Sequence, residues 1–241
     1  MSTILLTGSS RGIGAATREM LEARGARVIG HSTQGDGESE LAADFTEPTA
    51  PQMLWEHALE MAGGRIDVLI NNAGLFQQNP LNAADIRWLD AWEDTLRINL
   101  TAAAQLSRFA VQHWLERERA DSEEAGRIVH IASRAGHRGD SPAHWHYAAA
   151  KGGMLAMHKT IARAYGNDGI YSYAVTPGFT DTSMAGDYLE SRGGPGLLAD
   201  IPLGRVAKPE EIANVATYLA LDAPPSLTGA TLDANGASYV R

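Results

Sequence analysis

The chain of 241 residues carries 44% apolar and 20% charged side chains and a formal net charge of −9, which suits one large folded domain with a substantial core. The acidic balance argues against a general nucleic-acid surface, and no apolar run reaches the length of a membrane span. Zero cysteines exclude disulfides and thiolate-held metals, and with no signal-like segment in residues 1–6 the expected compartment is the cytoplasm.

The first predicted strand, Ile4–Leu6, runs into Thr7-Gly8-Ser9-Ser10-Arg11-Gly12-Ile13-Gly14 and then a helix over Gly12–Arg24. Strand, glycine-rich turn and helix form the setting in which such glycines hold a dinucleotide. Without side chains the backbone approaches a pyrophosphate, and the helix N-terminus meets its charge. The spacing is Gly-x-x-x-Gly-x-Gly, not the Gly-x-Gly-x-x-Gly of many other dinucleotide folds. Any tight turn uses glycine, so it is the flanking strand and helix that favour the binding reading. The second strand, Arg27–Gly30, leads into His31-Ser32-Thr33-Gln34. An acid roughly 20 residues beyond the glycines usually holds the adenosine ribose hydroxyls and repels a 2′-phosphate. This stretch has none, whereas Arg11 offers a cation and Thr33 a hydroxyl. NADP(H) is therefore favoured over NAD(H). Asp36, between Gly35 and Gly37, is the acid that a bent loop would bring back.

Further strands are predicted at Glu40–Ala43, Asp67–Asn71, Arg127–Ile131, Ile170–Val175 and Thr231–Asp233, among helices at Pro51–Ala62, Trp92–Arg119, Ala143–Tyr165 and Pro209–Leu221. Short apolar strands alternating with helices predict an α/β fold, a doubly wound parallel sheet covered on both faces, as a single domain over residues 1–241. Residues 116–124 read as a charged, solvated helix end and loop. Residues 185–202, with Gly193-Gly194-Pro195-Gly196, would form a substrate loop beyond a strand's C-terminal end.

Tyr147 and Lys151, with three alanines between them, lie in the predicted helix Ala143–Tyr165, where residues four apart share a face. At about 4 Å and an effective dielectric of about 20, the cation would favour the phenolate by roughly 4 kcal/mol as an upper bound. That would make the phenol an acid or base near neutrality, suited to a carbonyl or alcohol oxygen. The same pair on an ordinary helix would be a surface contact.

Taken in order, Thr7-Gly8 to Gly14, Asn71-Asn72-Ala73-Gly74, Asn99, Ser133, Tyr147-x-x-x-Lys151 and Pro177-Gly178 resemble the short-chain dehydrogenase/reductase family over nearly the whole chain. The wording of Arg27–Gly30 and Tyr147–Lys151 is most similar to bacterial 3-oxoacyl-[acyl-carrier-protein] reductases. The resemblance implies a seven-stranded Rossmann-type sheet, a homotetramer and hydride transfer between a nicotinamide and a carbonyl or alcohol. It implies that Tyr147 is the general acid in reduction and the base in oxidation. Lys151 would tune it and bind the nicotinamide ribose, Ser133 would donate to the substrate oxygen, and Asn99 would hold a water on the proton path. Cofactor contacts would come from Gly8, Ser10, Arg11, Gly12, Ile13, Gly14, Thr33, Asn72, Ala73, Pro177 and Gly178. Asp44 and Phe45 would flank the adenine, Asn71 and Gly74 the ribose side, and Thr180 and Thr182 the carboxamide and phosphates. Ser133 to Tyr147 is one residue longer than in the closest relatives, so the intervening loop would shape the pocket differently.

On the substrate side the expected walls are Phe76, Gln77, His137, Arg138, His144, Trp145, Met184, Tyr188 and the loop to Pro202. Arg134, Arg138 and His144 would recognise an anionic substrate, or else simply face solvent. His144 and His146 lack a third ligand, so no metal is expected. The expected activity is NADPH-dependent reduction of a ketone or aldehyde, the substrate a 3-oxoacyl thioester or a small carbonyl compound. The alternative is a regulatory protein that binds NADP without turnover, a role with no need for Ser133, Tyr147 and Lys151 together. A sugar-nucleotide epimerase or dehydratase would need a longer chain.

Overall fold

Side chains along a strand alternate between its two faces, and here both faces are apolar. The structure, a computed structural model, describes residues 1–117, 124–182 and 195–241. Seven strands form one all-parallel sheet: β1 (Thr3–Thr7), β2 (Arg27–Ser32), β3 (Glu40–Ala42), β4 (Val68–Asn71), β5 (Gly126–Ile131), β6 (Ile170–Pro177) and β7 (Thr231–Ala234). Their order is β3-β2-β1-β4-β5-β6-β7. This is the expected Rossmann-type arrangement. The chain leaves the centre in one direction after β1 and in the other after β4.

Ile4 and Leu6 of β1, Val68 and Ile70 of β4, and Val129 and Ile131 of β5 join one apolar cluster. Helices α1 (Gly12–Ala23) and α8 (Pro209–Leu221) close that face, contributing Leu21 and Ile212, Ala216 and Leu219. The intervening residues Leu5, Leu69 and Ile128 join the opposite cluster, closed by α2 (Ala50–Met61), α4 (Ala102–Glu116) and α6 (Trp145–Tyr165). Each fully buried Leu or Ile is worth roughly 1.5–3 kcal/mol of transfer free energy. The sheet is thus held chiefly through its faces. Among the described residues no helix is long and apolar enough to cross a membrane.

The helix expected at Trp92–Arg119 begins earlier, with α3 (Asp85–Leu96), and continues through a π-turn at Arg97–Thr101 into α4. Within α3 only Thr95 is buried, and Ile86 and Leu89 are exposed. Apolar residues Ile86, Leu89, Trp92 and Leu96 recur there at helical spacing, but the stripe they form is not buried in the core. Two short helices, α5 (Ala135–Arg138) and α7 (Pro195–Ala199), also lie where the sequence predicts loop. Residues 118–123 of the charged stretch and residues 185–194 of the expected substrate loop, with Met184 and Tyr188, lie outside the described residues.

Candidate active site

Because all strands run the same way, their C-terminal ends open on one side, and the divergence between β1 and β4 leaves a crevice there. A cleft of about 1020 Å³ occupies it. Of the residues expected to contact the cofactor, all from Gly8 to Thr182 except Asn71 border this cleft, as does Ser133. Gly8 has φ +66°, and a Cβ on it would stand 2.8 Å from Ala73 Cα; one on Gly14 would stand 1.9 Å from Gly8 O. The turn is therefore built to admit backbone only. The Thr7 hydroxyl accepts from the amides of Asn72 and Ala73, both at 3.0 Å, and Asn72 Nδ2 donates to Thr7 O (2.9 Å) and Gly8 O (2.8 Å). These bonds lock the glycine turn across the β1–β4 seam. Thr182 approaches from β6, its Cγ2 lying 3.0 Å from where a Gly12 Cβ would sit.

Beyond the end of β2, where the adenosine is expected, Asp36 is committed to its own loop. Its carboxylate accepts from the amides of Glu38 (2.9 Å), Ser39 (2.9 Å) and Glu40 (2.8 Å), which hold its pKa far below the ordinary carboxylate range. Asp36 does not border the cleft. Glu40, 7% exposed, accepts from Ser9 Oγ at 2.6 Å and lies 3.7 Å from Arg18. His31 stacks on Phe45 at 4.4 Å, and its Nε2 lies 2.9 Å from Ala43 O. Burial lowers its pKa. Asp44 borders the cleft while accepting from Thr46 N (2.9 Å) and Thr46 Oγ1 (2.8 Å). Arg11 and Thr33 are exposed at the rim.

At the other end α6 brings Tyr147 and Lys151 beneath the end of β5. Lys151 Nζ donates to Ile131 O at 2.8 Å and lies 5.8 Å from the Tyr147 ring centre. The Ser133 hydroxyl is close enough to Tyr147 to favour its ionised form, but burial outweighs it and pushes the phenol up to about 12. Burial also brings Lys151 down to about 8. The expected cation-driven fall of the tyrosine pKa is therefore corrected. The ammonium points at a peptide carbonyl rather than at the phenol, and desolvation acts on both groups. Tyr147 holds its proton at neutral pH.

Asn99 sits in the π-turn, fully buried, and does not border the cleft. Its Oδ1 accepts from Leu75 N at 2.6 Å and its Nδ2 donates to Leu75 O at 2.8 Å. A Gly74 Cβ would stand 3.2 Å from Asn99 Oδ1 and 3.8 Å from Lys151 Nζ, so the buried Asn99 backs the stretch of wall formed by Gly74 and Lys151. Asn71 is buried away from the cleft, donating to Ser107 Oγ at 3.1 Å.

A family model described as enoyl-(acyl carrier protein) reductase matches residues 8–236. Among curated relatives, the 3-oxoacyl-[acyl-carrier-protein] reductases FabG of Salmonella typhimurium (strain LT2) and Escherichia coli (strain K12) are each 34% identical, and that of Pseudomonas aeruginosa 35%. Each alignment covers 98% of this chain and 96% of the relative. The chain belongs to the short-chain dehydrogenase/reductase family. It is an oxidoreductase acting on CH–OH and C=O groups.

In this short-chain dehydrogenase/reductase the expected substrate walls divide. Phe76 and Arg138 border the cleft, whereas Gln77, His137, His144 and Trp145 do not. His144 is fully buried behind Phe76, stacked on it at 4.2 Å. His137 stacks on Tyr239 at 5.4 Å, and Trp145 is 53% exposed. The sequence reading missed Phe179, which also borders the cleft, as do Asp140 of the Ser133–Tyr147 loop and Asp200 of the expected substrate loop. Phe179 follows Pro177-Gly178 directly, and that adjacency was the available signal. The Ser133–Tyr147 segment contains α5, which ends at Gly139 with φ +79°.

Proposed function

We propose that the protein is an NADPH-dependent reductase of a ketone or aldehyde, with NAD(H) the poorer cofactor, built as a single catalytic domain over residues 1–241. The observation that carries this reading is the Tyr147 phenol bordering the cleft beside the Ser133 hydroxyl, with Lys151 on the next turn of the same helix. A 3-oxoacyl thioester, as named for the relatives, and a small carbonyl compound are the substrate classes.

The backbone-only cradle at Gly8 and Gly14 fits a dinucleotide pyrophosphate. Gly12, Ile13, Ser10, Thr180 and Thr182 would hold the phosphates and carboxamide, Asn72, Ala73, Gly74, Tyr147 and Lys151 the riboses, and Asp44 and Phe45 the adenine side. Arg11, whose side chain makes no hydrogen bond or ion pair among the described residues, would take the 2′-phosphate, with Thr33 beside it. Because Asp36 is turned into its own loop, it does not repel that group. When bound, the nicotinamide supplies hydride to a carbonyl carbon.

Tyr147 gives its proton to the carbonyl oxygen as hydride arrives. Ser133 Oγ accepts from Ala135 N at 3.1 Å, so its own proton is left to donate to the same oxygen and stabilise the charge developing there. Lys151 adds positive potential from below. Asn99 acts by position, its amide holding Leu75 and hence Gly74 beside Lys151. The homotetramer implied by the family resemblance and the cytoplasmic location expected from the cysteine-free composition belong to this proposal; exposed Ile86, Leu89 and Leu115 supply apolar surface for subunit contact.

The test follows nicotinamide absorbance with NADPH or NADH and a panel of 3-oxoacyl thioesters, trans-2-enoyl thioesters, ketones and aldehydes. Carbonyl turnover with NADPH is expected. Tyr147→Phe should lower it by about 10²–10⁴-fold while leaving NADPH binding nearly intact. Turnover of enoyl thioesters alone would replace carbonyl reduction by double-bond reduction. Tight NADPH binding without any turnover would favour the regulatory reading.

A further inference from the structure

Arg134 is a buried cation with an unfilled donor. It is 6% exposed, its Nη1 has no hydrogen-bond partner, and no carboxylate lies within ion-pair distance of it among the described residues. The residue borders the cleft. Its backbone is fixed from both sides: its amide donates to Pro177 O at 3.1 Å, and its carbonyl accepts from the amides of His137 and Arg138. The guanidinium lies 4.7 Å from the centre of the Phe179 ring. That contact offsets part of the cost of burial but gives Nη1 no acceptor. Asp140 and Asp200 are near enough to be felt electrostatically, and Arg138 opposes them, but Arg138 is itself turned to Ser238 O at 3.4 Å. A desolvated guanidinium left without a partner is costly, and the natural complement of its forked donors is a carboxylate or phosphate.

We propose that Arg134 binds an anionic group carried by the substrate itself, and that the cleft takes a short oxo acid whose carboxylate lies close to its carbonyl. This rests on the carbonyl-reductase reading of the site. Position selects the carboxylate. Arg134 borders the same cleft as Ser133, which on that reading donates to the carbonyl oxygen, so the anion that would span the two is one carried close to the carbonyl. The phosphate of a carrier arm is separated from its thioester carbonyl by a long extended chain and does not reach. In the reaction, hydride from NADPH forms the new C–H bond and the carbonyl oxygen takes the Tyr147 proton, which solvent restores. The products are a hydroxy acid and NADP⁺.

The experiment measures binding by calorimetry to the full-length protein saturated with NADP⁺, which cannot reduce the probe. The probes are acetoacetate and 2-oxobutyrate, their methyl esters, and inorganic phosphate. Wild type should bind each acid on the order of 100-fold more tightly than its ester. Arg134→Met should collapse that ratio towards one, and Arg134→Lys should restore part of it. Equal binding of acid and ester by wild type would overturn the proposal, as would an Arg134→Met protein that keeps the ratio while weakening both, the mark of a packing role. Phosphate binding more tightly than either acid would overturn the oxo-acid assignment. If Arg134→Met does not fold, the wild-type ratio and Arg134→Lys still decide. Arg134-dependent acid binding without NADPH oxidation on any carbonyl would keep this anion site and remove the reductase reading.

Discussion

Lys151 has a charge that mild alkali can remove. Burial has brought its titration to about 8, while Tyr147, at about 12, keeps its proton throughout the working range. If the ammonium helps stabilise charge on the reacting oxygen, reductive kcat/KM should hold through neutrality and decline as pH rises past about 8. A profile flat to about pH 10 would show that the lysine charge is dispensable. On the proposed reading, Arg11 would carry the cofactor choice. Arg11→Ala is expected to weaken NADPH binding by roughly 10–100-fold and NADH binding little, since one charge-assisted contact is lost; equal losses would show that Arg11 does not read the 2′-phosphate and would overturn the NADP(H) assignment built on it. The direction of the Tyr147 shift was not legible in sequence. Spacing places the lysine on the right face, but burial and the Ile131 carbonyl decide where its charge is spent.

The strands were legible as elements because each is apolar on both faces, and their observed ends differ from expectation by a residue or two, as at Thr7 and Pro177. The glycine turn was legible too, since Gly8 and Gly14 occupy positions that only a bare backbone can fill. Gly14→Ala would drive a Cβ to within 1.9 Å of Gly8 O. The turn must then open, with a stability loss of about 1–3 kcal/mol and a large loss of NADPH affinity. Chemical denaturation and cofactor titration on the same variant measure both, and unchanged values would remove the turn from the binding site. Less could be read around the substrate. Whether a histidine of the Ser133–Tyr147 segment faces the cleft depends on packing that no spacing encodes, and His144 is covered by Phe76. The π-turn that carries Asn99 leaves no mark on composition either.

Acid stability belongs to the whole molecule, because it depends on two histidines sealed between the sheet and α6. His130 of β5 and His158 of α6 have ring centres 6.2 Å apart, and burial holds them at about 3 and about 4. In the unfolded chain each would titrate near 6.5. The unfolded state therefore takes up protons that the fold refuses. Stability is complete above about pH 6.5 and drains away as pH falls towards the folded values. At pH 4, His130 alone would cost about 3 kcal/mol as an upper bound. Thermal midpoints should thus drop steeply on the acid side, and less steeply in His130→Gln; parallel curves would assign the loss to carboxylates instead. The seam where Thr7 grips Asn72 and Ala73 has a different consequence. It joins two stretches of chain that build opposite wings of the sheet, and a dinucleotide laid across it would act as a staple between them. At a hundredfold excess over its Kd, such a ligand adds about 2.7 kcal/mol to the folded state, so the enzyme filled with its redox partner would be a sturdier object than the bare polypeptide.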